Sequence, residues 1–176
     1  MTARQPVILG VMSDTHGNRA LMFRVADALI HTHHAEAIFH LGDDYADVEE
    51  LRNAGYPVHG VPGLWCREYH NPRVPNTLIE NLNGWVVAGA HAAQDIRGAA
   101  ARAQIILTGH THEAELRVVR RSLRVNPGHL KDAVNRGQPA SYAVLVLDGD
   151  AVRASVHELS GAVRQELLVQ REDLQA

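Results

Sequence analysis

Val7-Ile8-Leu9-Gly10-Val11-Met12-Ser13-Asp14-Thr15-His16-Gly17 is the stretch from which the fold can be read. The unbroken apolar run from Val7 to Met12 predicts a strand buried on both faces, because a strand with one wet face alternates instead. The run stops at Ser13. Asp14 and His16 follow at i and i+2, and Gly17 leaves the chain free to bend. After Asn18 the period changes: Leu21, Val25, Ala28 and Leu29 recur at three and four, which predicts a helix.

Residues 37–41 read as a second buried strand, 47–53 as a short helix and 56–61 as a third strand. Strand–helix–strand–helix–strand order implies parallel pairing with helices on the faces. His31, His33 and His34 close the first helix and read as a solvated end, where positive charge suits the dipole. The second half changes character. Residues 77–82 and 85–90 flank Asn83-Gly84, a strong hairpin signal. A small helix is expected over 94–102 and a strand over 104–108. Residues 113–120 and 123–125 look like another hairpin, and 141–147 pairs with 151–159 across Asp148-Gly149. The charged stretch 161–176 is expected to be a helix or a frayed tail. Parallel α/β first and antiparallel β later predict two packed sheets flanked by helices. With no linker, repeat or composition shift, one domain over residues 1–176 is expected.

At 176 residues and 45% apolar content, the chain is long enough to bury roughly two thirds of its unfolded surface. A net charge of −3 and a pI near 6.4 weigh against a nucleic-acid partner. The single cysteine, Cys66, excludes an internal disulfide and suits a reducing cytoplasm. No apolar run reaches the length of a bilayer span, and residues 7–12 are too short for a secretory leader. These features predict a cytoplasmic protein with no membrane partner.

Four segments, SDTHG, HLGDD, VVAGAHA and ILTGHTH, each follow an apolar run. They carry Asp14 and His16, Asp43, His91, and His110 and His112. Carboxylate oxygens mixed with imidazole nitrogens suit Mn, Fe, Zn or Mg better than a thiolate or redox chemistry. Strand ends of a single sheet can converge in space. Such a cluster can hold two ions roughly 3.5–4 Å apart, the arrangement that activates water for phosphate ester cleavage.

Taken in order, with the later VNPG, these segments resemble the calcineurin-like metallophosphoesterases. They are most similar to the small single-domain bacterial and archaeal phosphodiesterases of that superfamily, and the likeness spans residues 7–147. The resemblance implies a four-layer αββα sandwich and two divalent ions, with Mn foremost and Zn, Fe, Ni or Mg as alternatives. It places Asp14, His16 and His112 on the first ion and His91 and His110 on the second, with Asp43 bridging both. Asp43, His91 and His110 are the expected catalytic residues. The implied reaction is hydrolysis of a small phosphate mono- or diester by a metal-activated water. A homo-oligomer is left open.

The pattern departs from the family after the third strand, which reads Val61-Pro62-Gly63-Leu64-Trp65-Cys66. Leu64 stands where the family has a ligating asparagine. Cys66, two residues on, is either a thiolate ligand that would favour Zn or Fe, or a thiol that packs. Trp65 stands where a proton donor would be, leaving Glu68, His70 or water as alternatives; phenolate leaving groups would suffer least. Ala93 replaces a second histidine, and Ala92 and Ala93 leave room for a diester. Trp65 and Tyr69 either stack on a base or serve the fold.

Asp44 reads as a helix cap and His40 as a core or ligand-orienting residue. Asn126-Pro127-Gly128 reads as a turn near the site, followed by His129 where the family has serine; His129 is not expected to reach the metals. Arg117, Arg120, Arg121 and Arg124 read as a basic edge that discourages strand pairing. A rival reading is a binding scaffold on the same fold, since a retromer scaffold subunit resembles this family. Leu64 and the missing acid speak for it.

Overall fold

Successive side chains of a strand point to opposite faces, and β1 (Val7–Met12) uses both. Leu9 and Val11 enter one core cluster with Trp85, Val87, Ile105 and Leu107 of a second sheet. Met12 enters another, with Met22, Val25 and Leu29 from the helix that follows. Gly10 explains how closely that helix lies, because a Cβ there would come within 2.7 Å of the Leu29 side chain.

The computed structural model describes residues 5–174. After β1 come α1 (Arg19–Asp27), β2 (Ala37–His40), α2 (Ala46–Asn53) and β3 (Val58–Gly60). Then follow β4 (Thr77–Leu82), β5 (Trp85–Ala90), β6 (Ile105–Thr108), β7 (Glu115–Val119) and β8 (Ser122–Asn126). The chain continues through β9 (Val134–Asn135), β10 (Gln138–Pro139), β11 (Ser141–Leu147), β12 (Ala151–Glu158) and β13 (Val163–Gln170). One sheet has the order β13-β12-β11-β1-β2-β3 and the other β4-β5-β6-β8-β7, with β9 and β10 as a separate ribbon. Both sheets are mixed: β1–β2–β3 and β5–β6–β8 are parallel, while β11 runs antiparallel to β1. The architecture is α/β, two packed mixed sheets with helices outside. Among the described residues no helix is long and apolar enough to cross a membrane.

The Asn83-Gly84 hairpin forms, with both residues at positive φ (52° and 82°), as a tight turn matched to strand twist requires. Three expectations need correction. The stretch from 161 is a strand rather than a helix or frayed tail: β13 pairs antiparallel with β12. Leu167 and Val169 alternate into the core beneath a charged face, and that charge obscured the period of two. The expected helix over 94–102 is two short 3-10 turns, Ala93–Asp95 and Ala100–Arg102, separated by Gly98 at φ 57°. The outer layer over the second sheet is therefore thin, with Ala100 and Ala103 packed on Ala88 and Ile106. His33 is the third. His31 and His34 are exposed, but the His33 ring lies 4.6 Å from that of His157, and its Nε2 is 3.1 Å from the Tyr142 hydroxyl.

Burial first, then the nearby His157 and His34, holds the His33 imidazole below its ordinary 6.5. The unfolded chain binds that proton more readily, so this contribution to stability is present above about pH 6.5 and is lost as pH falls toward the folded value. Urea midpoints measured from about pH 7 to about pH 5 should fall in the wild type and fall less in His33→Gln.

Candidate metal centre

All six candidate ligands lie within four residues of the C-terminal end of a strand: β1 for Asp14 and His16, β2 for Asp43, β5 for His91, β6 for His110 and His112. The site therefore spans the ends of both sheets, not of a single one as expected, since β1 and β2 belong to one and β5 and β6 to the other. Five of the six hold the left-handed backbone: Asp14 (φ 56°), His16 (47°), Asp43 (110°), His110 (71°) and His112 (64°). Non-glycine residues adopt that region at a cost of about 1 kcal/mol or more each, and such strain gathers at functional sites. The turned backbone brings Asp14 and His16, which an extended strand would hold roughly 7 Å apart on one face, to a common point.

Two groups of ligand atoms, each within 4.8 Å, result: Asp14, His16 and His112, and Asp14, Asp43 and His91. Asp14 is common to both. Asp43 also reaches across, its Oδ2 being 2.9 Å from His16 Nδ1. His110 belongs to neither group but stands beside the second, its Nδ1 3.3 Å from His91 Nε2. His16 and His112 face each other through their Nε2 atoms at 3.0 Å. Neighbouring groups fix the tautomers. His91 Nδ1 donates to the Leu41 carbonyl at 2.8 Å, and His112 Nδ1 donates to Asn135 Oδ1 at 2.9 Å. Each leaves an Nε2 lone pair turned toward another candidate ligand, the form in which imidazole binds a metal.

Asp14 is almost wholly buried. Burial alone would push its carboxyl up, but His112, the Ser13 hydroxyl, the His91 charge and the His110 N–H together hold it below its ordinary value. His112 is pushed up, chiefly by Asp14. His16 is held down by burial and by the charges of His112 and Lys131, against the pull of Asp43. Two carboxylates and four imidazoles converge, and their lone pairs face one another. That donor set fits divalent cations.

Thr15, Asp47 and Asn135, which the sequence reading did not single out, hold the ligands in place together with His40 and Asn126, which it did. The buried Asp47 carboxylate accepts from Thr15 Oγ1 and lies 3.4 Å from His40 Nε2, while His40 Nδ1 accepts from the Gly42 amide. One carboxylate on α2 thus fixes both the loop of Asp14 and His16 and the loop of Asp43, with His40 in an orienting place. Burial would raise Asp47, but His40 and Thr15 outweigh it and its carboxyl is held low. Asn126 donates to the Gly109 carbonyl and to Thr111 Oγ1, bracing the His110–His112 loop. Asp47 offered a signal as a carboxylate on the inner face of a helix; Asn135 offered none, lying in the two-residue strand β9, too short to show a period.

Cys66 is not brought into either ligand group. Its thiol donates to the Asp43 carbonyl, and burial, which exceeds the effect of its backbone hydrogen bonds, pushes its pKa up. The geometry is that of a packing thiol rather than a thiolate ligand. Leu64 is half-buried and offers no donor. Tyr69 donates to Asp95 at 2.8 Å and serves the fold. Glu68 lines the cleft beside His16 and Asp43, while His70 is exposed. Both ring nitrogens of His129 bond backbone groups, at Gln138 and Lys131. Asp44 Oδ1 accepts from the Ala46 amide at the start of α2.

Residues 7–150 match the calcineurin-like phosphoesterase superfamily domain. The chain belongs to that superfamily. It is 29% identical to a probable metallophosphoesterase of Methanothermobacter thermautotrophicus, over 94% of this chain and all of that one. The fold matches a predicted phosphoesterase from Streptococcus pneumoniae with a TM-score of 0.72 at 20% identity, covering 96% of this chain and 100% of that one. It also matches Vps29 from Entamoeba histolytica complexed with zinc, with a TM-score of 0.65 at 18% identity, covering 93% and 99%. Calcineurin-like phosphoesterases use divalent metals, and Asp14, His16, Asp43, His91 and His112 form candidate ligand groups in this member.

Gly109 lets the β6 loop pass against Asp14, since a Cβ there would run into Ser13 Oγ and Asp14 Oδ2. Gly109→Ala should weaken Mn binding about tenfold or more, measured by calorimetry, with little change in circular dichroism.

Proposed function

We propose that this chain is a phosphoesterase, acting on phosphodiesters, that holds two divalent ions side by side. The observation that carries the reading is the pair of ligand groups overlapping at Asp14. Asp14, His16 and His112 would hold one ion; Asp43, His91 and His110 would hold the other, with the two carboxylates between them. Mn is the metal the family resemblance puts first, and the mixture of oxygen and nitrogen donors also accepts Zn, Fe, Ni or Mg. When bound, the ions supply Lewis acidity toward the phosphoryl oxygens and an acidified water.

The protein's own contribution is placement and charge. Asp14 and Asp43 offset half the charge of two divalent cations, so that a monoanionic diester meets a site that stays positive. Leu41 and Asn135 keep His91 and His112 in the metal-binding tautomer, which removes a reorganisation step. The side chain expected to protonate a departing alcohol is Trp65, which cannot. Good leaving groups are therefore favoured, and Glu68, which borders the cleft, is the side chain placed to help poorer ones. Its setting is a reducing cytoplasm, which suits the lone half-buried thiol, and its substrate is a small ester rather than nucleic acid or membrane.

Leu64 and Trp65 favour a second reading, a scaffold with weak or no catalysis on the same fold, as the likeness to Vps29 also suggests. One experiment separates the two. With Mn, purified protein should hydrolyse an aryl phosphodiester, chelator should abolish the activity, and Asp43→Asn should lower kcat about a hundredfold or more, some 3 kcal/mol. Absence of Mn-stimulated hydrolysis on both mono- and diesters would favour the scaffold.

A further inference from the structure

The protein has two tryptophans and treats them in opposite ways. Trp85 is fully buried, donates its indole N–H to the Asp148 carbonyl and lies under the Arg171 guanidinium. Trp65 is 90% exposed. Scattered exposed aliphatic residues are ordinary on a soluble surface, and Ile79, Val134, Val163 and Leu168 are such cases. An exposed indole beside a ligand cluster is different, because its large rigid face is an effective stacking surface and costs little conformational entropy to use.

Its location is specific. Two adjoining clefts, of about 410 and 370 Å³, share His16, Asp43 and Trp65 in their walls. The second also contains Lys131 and Arg136. The backbone on either side of Trp65 is fixed against Asp43. Gly63 packs so closely that a Cβ would come within 2.9 Å of the Asp43 carbonyl carbon. On the other side, the Cys66 thiol donates to the Asp43 carbonyl and the Cys66 amide donates to Gly63. The indole is thus carried on a loop tied at both ends to a candidate metal ligand, while its own face is left open to the cleft.

We propose that Trp65 is the specificity-determining residue of this site. Its indole stacks on a planar aromatic group, a nucleobase or similar ring, on one arm of a phosphodiester, while Lys131 and Arg136 meet the ester's negative charge. The inference rests on the phosphoesterase reading and names the class of ester it selects. Stacking on an open indole face is tolerant of which base is presented, because every base has a π-face. The site would therefore distinguish aromatic from aliphatic arms far better than one base from another.

Two diesters with the same leaving group isolate the effect: thymidine 5′-(p-nitrophenyl) phosphate and methyl p-nitrophenyl phosphate. With Mn-loaded protein, the ratio of their kcat/KM values should favour the nucleoside ester. Trp65→Ala should reduce that ratio about tenfold, and Trp65→Phe should keep most of it. The second readout is intrinsic fluorescence, titrated with adenosine 5′-monophosphate. Because Trp85 is buried, saturable quenching should come from Trp65 and vanish in Trp65→Phe. A ratio unchanged in Trp65→Ala overturns the proposal whatever the quench. If the wild type hydrolyses neither ester, the quench decides: a saturable one supports stacking while the phosphoesterase reading falls, and a linear one removes both.

Discussion

Asp14 is the residue on which the rest of the site depends. Its amide donates to the Gly42 carbonyl, its carbonyl accepts from Leu130, and one carboxylate oxygen accepts from both Ser13 and the His110 amide. The other oxygen faces His112 Nε2 at 3.4 Å. A single buried residue therefore links the loops after β1, β2 and β6 and the segment before β9. An ionised carboxylate taken out of water costs several kcal/mol unless it is paired and hydrogen-bonded. Apart from the hydroxyl of the adjacent Ser13, those compensations come from other parts of the site, so Asp14 is fully compensated where the cluster is assembled.

The left-handed backbone at five of the six ligands belongs to the same argument. Local preference opposes each of those conformations. They persist because packing of the two sheets, and hydrogen bonds such as those from Asn126 to Gly109 and Thr111, fix the loops after the strands have been placed. The rigid core between the sheets, from Leu9 and Val11 to Trp85, Ile105 and Leu107, is what the strain is held against.

The parallel strands, the first hairpin and the six candidate ligands were legible in the sequence because each has a local signature: an apolar run, an Asn-Gly pair, an aspartate or histidine within a few residues of a strand's end. The strand β13 was not, because Arg164 and Glu166 interrupt the run in which Leu167 and Val169 alternate inward. Nor was the short-turn character of 94–102, where a helical count of alanines hides Gly98. His33 illustrates the general difficulty. It lies beside two exposed histidines of the same helix end, and only the return of β11 and β12 supplies Tyr142 and His157 as neighbours.

By itself the sequence determined most of the order of strands and helices, with β9, β10, β13 and the turns of 94–102 excepted, and the inventory of candidate ligand side chains, since both are written in short-range pattern and residue type. Tertiary structure alone decided that Asp14 rather than Asp43 is common to both ligand groups. It decided too that Cys66 turns its thiol to a carbonyl and that Trp65 stands open beside the cleft. Those outcomes turn on distances between atoms far apart along the chain and on which surfaces the two sheets happen to cover. No local period records either.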